Sequence, residues 1–401
     1  MARRIAIGSQ RTQNAATLFR PTAIHVSSDL SQLRSQIDRL DDELIQLLAQ
    51  RARLTASVGQ YKIAHGLPLY APEREAELLA ARREKASAAR VNPDLVEDVL
   101  RRVMRESYST QEARFPATGD LARPVVIVGG GGALGRCLGT FFERSGYTLR
   151  TLEKDDWDQA QSLLADASLV LMAVPIDRTC AVIRALPLLP ADCVLADVTS
   201  IKSAPLQAML DSHAGPVVGL HPMFGPDVKS LAKQVIVVCH GRDQAQYQWL
   251  IDQMNLWGAV LREEPPEQHD RAMALIQAMR HFTSMVYGVF LQQQGANLQE
   301  LMRLSSPIYR LELAMVGRLF AQSPVLYADI IMAATRLPNL LADYRQVLDD
   351  LLQLVRDGQR DALIERFNHT QGYFGDLAPA LLRESSELLR KAHDSRDPGR
   401  G

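Results

Sequence analysis

The chain has 401 residues, 47% hydrophobic and 23% charged, with 45 Lys and Arg against 46 Asp and Glu for a net charge of -1. That length allows two or three domains with buried cores. The even balance excludes a global electrostatic pull toward nucleic acid or an anionic membrane, so any anionic ligand must be held by local cations.

The first 28 residues carry Arg3, Arg4, Arg11 and Arg20 with no acidic residue. Lacking a secretory apolar segment, they read as a disordered extension. From Asp29 the residues Leu30, Leu33, Ile37, Leu40, Leu44, Leu47, Arg51, Leu54, Val58 and Tyr61 alternate spacings of three and four, which predicts one long helix ended by Gly66 and Pro68. A second helix is predicted from Pro72 to Ala88. A third opens with Asn92 as N-cap and Pro93 at the first helical position. Residues 29–111 thus form an all-α domain, and 112–124 lose periodicity and read as a linker. From Val125 the runs VVIV, LVLMAV, CVLADV, VVGL and VIVVC alternate with helical patterns. They predict a Rossmann-type α/β domain over 125–266 built from parallel units. No strand-like run follows Glu267, so 267–395 is predicted to be all-α. No apolar run is long enough to span a membrane. Cys137, Cys180, Cys193 and Cys239 have no C-x-x-C spacing, which argues for reduced thiols in a cytoplasmic protein and against a disulfide frame or a metal site.

Gly130, Gly132 and Gly135 satisfy G-x-G-x-x-G directly after an apolar strand and ahead of a helix. Such a turn lets backbone approach a pyrophosphate closely while a helix N-terminus offers its unpaired N–H groups. Glu153 follows Gly135 by eighteen positions, at the end of the predicted second strand. A carboxylate there accepts from ribose hydroxyls and repels a 2′-phosphate, which favours NAD over NADP although Arg150 and Lys154 are near. The competing reading is a glycine turn that only packs helix on strand.

Ligands of open α/β sheets bind beyond the carboxyl ends of the strands. Ser200 and Lys202 in TSIK, and His221 in HPMFGP, fall there. His221, followed by the rigid Pro222 and Pro226, is the candidate base for a hydroxyl whose carbon loses hydride, and Ser200 could orient it. His269 and His281 lie on helical patterns and read, on spacing alone, as packing or surface histidines.

Arg51 interrupts the apolar stripe of the first helix, and a buried guanidinium requires an anionic partner. Lys62, eleven residues on, projects from nearly the same face, whereas Arg34, seventeen residues earlier, points about 100° away, does not easily join them from the same chain and could join from a partner chain. Ser107 and Gln111 share a face of the third helix. Arg318 repeats the anomaly in the stripe Ile308, Leu311, Met315. Internal salt bridges to Glu75 or Glu312 are the competing explanation.

The stretches YAPERE, DVLRRVMRESYS, RPVVIVGGGG, GLHPMFGPD and SSPIYRLELAMVGRLFAQ carry a resemblance to the bacterial bifunctional chorismate mutase/prephenate dehydrogenase family, from about Asp29 to near the C-terminus. The resemblance implies an all-α mutase domain that forms an intertwined dimer, a Rossmann-type NAD domain and an all-α dimerisation domain. It implies that Arg51 and a partner chain's Arg34 hold the carboxylates of chorismate, that Lys62 and Gln111 donate to the ether oxygen, that Glu75 accepts from the ring hydroxyl and that Ser107 assists with a carboxylate. Ala71 stands where some related mutases carry aspartate. For prephenate, the resemblance implies His221 as base, Ser200 as its orienting partner and Arg318 as a carboxylate ligand, with Lys202 and His269 near the substrate. It also implies feedback by tyrosine. Two rivals remain at this level: an unrelated NAD-dependent hydroxyacid dehydrogenase whose N-terminal helices are only a dimerisation arm, and a non-catalytic ligand sensor. Arg51 and Lys62 within the stripe oppose the first, and His221 with Arg318 the second.

Overall fold

The computed structural model describes residues 29–394 other than 69 and 111–113. The extension at 1–28 and Gln111 lie outside the described residues. Helix α1 (Leu30–Ala64) runs unbroken for 35 residues. It ends in a Schellman arrangement: Gly66 adopts φ +62°, and Leu67 N–H donates to the Lys62 carbonyl at 2.9 Å. Its apolar residues Ile37, Leu40, Leu44, Leu47 and Leu54 are exposed in the single chain. Helices α2 (Pro72–Ala88) and α3 (Pro93–Thr110) pack on each other around the buried Leu79, Ala86 and Met104. Asn92 caps α3, accepting from Asp94 N–H at 2.9 Å. The aperiodic segment that follows is not a loose tether. Phe115 is buried in the core of the next domain, and Thr118 Oγ1 donates to the Trp249 carbonyl at 2.7 Å.

The α/β domain runs β1 (Val125–Val128), α4 (Ala133–Arg144), β2 (Leu149–Leu152), a 3-10 turn into α5 (Ala160–Leu164), β3 (Leu169–Met172), α6 (Ile176–Ala185), β4 (Val194–Asp197), α7 (Ser203–Ser212), β5 (Val217–Pro222), β6 (Val235–Arg242), α8 (Gln244–Leu256) and β7 (Val260–Glu263). The strands form one seven-stranded sheet in the order β2-β1-β3-β4-β5-β6-β7. Their near-continuous apolar sequence suits a sheet covered on both faces. Helices α4 and α8 pack Leu138, Phe142, Leu250 and Met254 against one face, and α5, α6 and α7 pack Leu164, Ile183 and Met209 against the other. The expectation of parallel units fails at one place: β6 is antiparallel to β5. No helix lies between these two strands to carry the chain back across the sheet, so they pair as a long-looped hairpin. Strand β7, with the sequence VLRE, ends in two exposed charged residues, which is why its apolar signal is faint.

The tail is all-helical. Helix α9 (Pro266–Met273) continues through a six-residue π-helical stretch, Ala274–Met279, into α10 (Arg280–Gln293). It is followed by α11 (Leu298–Leu304), α12 (Pro307–Phe320), α13 (Pro324–Ala333), α14 (Leu337–Arg356), α15 (Arg360–Phe374) and α16 (Leu377–Asp394). Ser306 caps α12 through Tyr309 N–H at 3.3 Å. No single helix among the described residues is long and apolar enough to cross a membrane.

Candidate active site

The glycine loop connects β1 to the N-terminus of α4, and each glycine has a separate steric cause. Gly129 adopts φ +81°. A Cβ on Gly130 would lie 2.4 Å from Thr151 Cγ2, and one on Gly135 would lie 2.7 Å from the Gly129 carbonyl oxygen. Gly132 is less crowded: its nearest neighbour to such a Cβ is the Gly129 carbonyl at 3.2 Å. It precedes a helix start with no side-chain cap, so backbone N–H groups there remain for an anion. Glu153 reaches the same loop and accepts from Gly131 N–H at 2.6 Å. Arg150, whose charge could have favoured a 2′-phosphate, is paired with Asp166 at 2.5 Å. A dinucleotide with an unmodified ribose fits this loop.

His221 sits on β5, opposite Val237 of β6, and is 2% exposed. Its Nδ1 lies 2.8 Å from His269 Nε2, and His269 Nδ1 lies 2.9 Å from Asp270 Oδ1. Burial opposes ionisation of Asp270, but hydrogen bonds from His269 and from the backbone N–H groups of Ser203 and Lys202 hold its pKa down at about 2. The carboxylate can therefore only accept. His269 therefore carries a proton on Nδ1, and with its Nε2 as the acceptor His221 carries its own on Nδ1. The lone pair of His221 is left on Nε2, where Gln277 Nε2 approaches to 3.2 Å. Burial, aided by Lys202 and His269, pushes the His221 pKa down to about 2. The imidazole is neutral, as a base must be.

His269 is thus neither a surface nor a mere packing residue: it is 1% exposed and in direct contact with His221. Asp270 and Gln277 were not singled out in the sequence. Gln277 is the one polar residue of the π-helical ALIQAM stretch, a signal in principle, and such π segments recur at functional sites. The lowered pKa of Asp270 also has a stability consequence. A carboxyl depressed below its unfolded value stabilises the fold above about pH 4, and the contribution is lost as pH falls toward 2. Asp270→Asn should remove about 2 kcal/mol at neutral pH and flatten acid unfolding between pH 4 and 2. Urea midpoints across that range check this, and an unchanged profile would contradict it.

Ser200, Lys202 and Arg318 occupy three different settings. Ser200 does not orient His221, whose hydrogen bonds go to His269 and Gln277. Ser200 lies instead on the wall of a cavity of about 310 Å³ together with Asp270 and Gln277. Lys202 is fully buried, its ammonium spent on Asp197 and on the Leu220 carbonyl at 2.6 Å, so it is not presented to a substrate. Burial lowers its pKa and Asp197 opposes the shift, because a buried charge needs its partner. Arg318 is exposed on α12, and the cations on the cavity wall within one chain are Arg271 and Arg336.

Among the helical-domain candidates, Arg34 is exposed and Arg51 half-buried on α1. Lys62 is half-buried, and burial lowers its pKa. Ser107 is buried, its Oγ donating to the Val103 carbonyl at 2.8 Å. Glu75 is buried and accepts from Tyr108 Oη at 3.0 Å.

Comparison with known proteins adds a separate line. Residues 33–112 match the family described as chorismate mutase type II, 147–261 match the prephenate dehydrogenase nucleotide-binding domain, and 265–369 match the prephenate dehydrogenase dimerization domain. The chain is 53% identical over 370 residues to the T-protein of Enterobacter agglomerans, covering 92% of this chain and 99% of that protein. It is 46% identical over 367 residues to the T-protein of Haemophilus influenzae, covering 91% and 97%. Among solved structures it is similar to prephenate dehydrogenase from A. aeolicus in complex with hydroxyphenyl propionate and NAD+, at 15% identity and a TM-score of 0.49, covering 64% of this chain and 98% of that one.

Proposed function

The chain belongs to the T-protein family of bifunctional chorismate mutase/prephenate dehydrogenases, and from that premise we propose a division of labour among its residues. It rearranges chorismate to prephenate and oxidatively decarboxylates prephenate to 4-hydroxyphenylpyruvate with NAD, in tyrosine biosynthesis.

The rearrangement is pericyclic and needs no base; it is helped by fixing a dicarboxylate in a compact conformation and by stabilising charge on the ether oxygen. Arg51 and Arg34 of the partner subunit hold the carboxylates, and Lys62 and Gln111 donate to the ether oxygen. Glu75 accepts from the ring hydroxyl and Ser107 assists with a carboxylate. The exposed leucines along α1 support a homodimer in which a second copy of the helix covers them. Mixing inactive Arg34→Ala and Arg51→Ala chains should restore about a quarter of wild-type mutase activity, since half the dimers are mixed and each holds one intact site. No recovery under verified subunit exchange would contradict a shared site.

The observation that carries the dehydrogenase assignment is the Asp270–His269–His221 chain of contacts, from which the lone pair of His221 is assigned to Nε2. His221 Nε2 takes the proton of the ring hydroxyl. When bound, NAD would supply the acceptor for the hydride on the carbon that bears this hydroxyl. The ring carboxylate then leaves as carbon dioxide, its electron pair enters the ring, and His221 returns the proton to the oxygen as the ring becomes aromatic. His269 orients the base, and the Asp270 carboxylate favours the charge it acquires. Gly130, Gly132 and Gly135 with the N-terminus of α4 hold the cofactor pyrophosphate, and Glu153 accepts from its ribose. Arg318 binds a prephenate carboxylate. Tyrosine, which carries the hydroxyphenyl group of the product, is the feedback inhibitor. The free thiols Cys137, Cys180, Cys193 and Cys239 suit a reducing, cytoplasmic setting. Prephenate-dependent NADH formation by the purified protein tests the assignment, and its absence beside an active control enzyme would overturn it.

A further inference from the structure

Glu75 is held by more than its own domain. Its Oε2 accepts from Tyr108 of α3, but its Oε1 accepts from the ammonium of Lys233, a residue of the α/β domain in the loop just before β6. Arg101 of α3 approaches the same oxygen at 3.5 Å. The Lys233 ammonium also lies 5.3 Å from the centre of the Tyr70 ring, whose edge faces Tyr108. Glu75 is 7% exposed, so its charge requires compensation.

The backbone around Lys233 is correspondingly unusual. Lys233 adopts φ +67°, a region that a side chain larger than glycine rarely occupies. It is fixed there by Lys233 N–H donating to the Gly258 carbonyl at 3.1 Å and by Gln234 N–H donating to the Leu231 carbonyl at 2.9 Å, with Leu231 fully buried. A strained conformation maintained by surrounding bonds is a reason to look for a role.

We propose that Lys233 is a positioning residue of the mutase site: the α/β domain supplies the cation that holds the Glu75 carboxylate in place to accept from the ring hydroxyl of chorismate. The proposal rests on the assignment of Glu75 to that site. Chorismate brings two carboxylates, and a third carboxylate beside them repels the substrate unless a cation offsets it. Lys233 provides that charge while leaving Glu75 lone pairs for the hydroxyl, since a carboxylate accepts about four hydrogen bonds. Rearrangement in the helical domain is therefore tied to the domain that consumes its product, because β6 also pairs with the strand that bears His221.

The test uses the full chain carrying Lys233→Gln, Lys233→Arg, Glu75→Gln and the Lys233→Gln/Glu75→Gln double substitution. Chorismate loss is followed without NAD, and NADH formation is followed from prephenate. Lys233→Gln should lower mutase kcat/KM about tenfold, or about 1.4 kcal/mol, chiefly through a higher KM for chorismate. Prephenate oxidation should stay within about twofold, which also reports that the variant is folded. Lys233→Arg should recover most of the mutase loss, and the double variant should be no worse than Glu75→Gln alone. Unchanged mutase kinetics in Lys233→Gln, or losses that add in the double variant, would leave the contact structural and overturn the proposal. If the glutamine variant misfolds, the arginine variant decides: a tenfold mutase loss with oxidation intact counts against a charge-positioning role. If Glu75→Gln itself leaves the mutase unchanged, the assignment of Glu75 fails first, and that outcome is distinct from a Glu75 requirement without a Lys233 requirement.

Discussion

His221→Asn should lower the kcat for prephenate oxidation by about a thousandfold, within the range expected for loss of a general base, while mutase turnover and prephenate affinity stay near wild type. The geometry gives the reason. Asparagine can keep a hydrogen bond toward His269 but has no group that takes up a proton at neutral pH, so the step that frees the hydroxyl electrons for hydride departure loses its acceptor. Asp270→Asn should act in the same direction with a smaller loss, because the imidazole remains and only its orientation and charge sharing are weakened. Steady-state kinetics with prephenate and NAD, together with prephenate binding by calorimetry, separate the two effects. A variant that binds prephenate far more weakly but turns over normally when saturated would make His221 a binding residue and remove it from the chemistry.

Arg318→Ala should raise the KM for prephenate by about a hundredfold with kcat changed much less, the pattern of an ionic contact made equally in the ground and transition states. Arg318 is exposed on α12, whereas Arg271 and Arg336 line the cavity beside Asp270 and Gln277. The three alanine variants therefore discriminate. A raised KM in Arg318→Ala supports its assignment to the substrate carboxylate. An unchanged KM there with a large rise in Arg271→Ala or Arg336→Ala transfers the role to the cavity wall.

Much of the architecture was legible because it is written in local patterns. The three-and-four spacing of α1, the Asn92-Pro93 start of α3 and the apolar runs of β1, β3, β4, β5 and β6 each state their element within about ten residues. The antiparallel turn into β6 was not legible, since strand direction depends on what lies between strands rather than on the strands themselves. His221 could be placed because strand ends face the ligand crevice. The groups around it could not. His269, Asp270 and Gln277 are separated from His221 by 48, 49 and 56 residues, and their helical spacing says nothing about which strand they meet. Lys202 shows the converse. Its place after β4 suggested a substrate contact, but the position is covered, and Asp197 five residues earlier absorbs its charge. By helix periodicity Arg34 lies on a different face of α1 from Arg51 and Lys62, so the role proposed for it requires a second chain, which no single-chain pattern can supply.

The central claim is that one chain makes prephenate and then oxidises it. The most direct test is to incubate the purified protein with chorismate, with and without NAD, following chorismate, prephenate and NADH in the same samples. Chorismate loss to prephenate without NAD, with NADH appearing once NAD is added, is the predicted result. Persistence of chorismate while added prephenate still yields NADH would contradict it, reducing the N-terminal helices to a dimerisation arm.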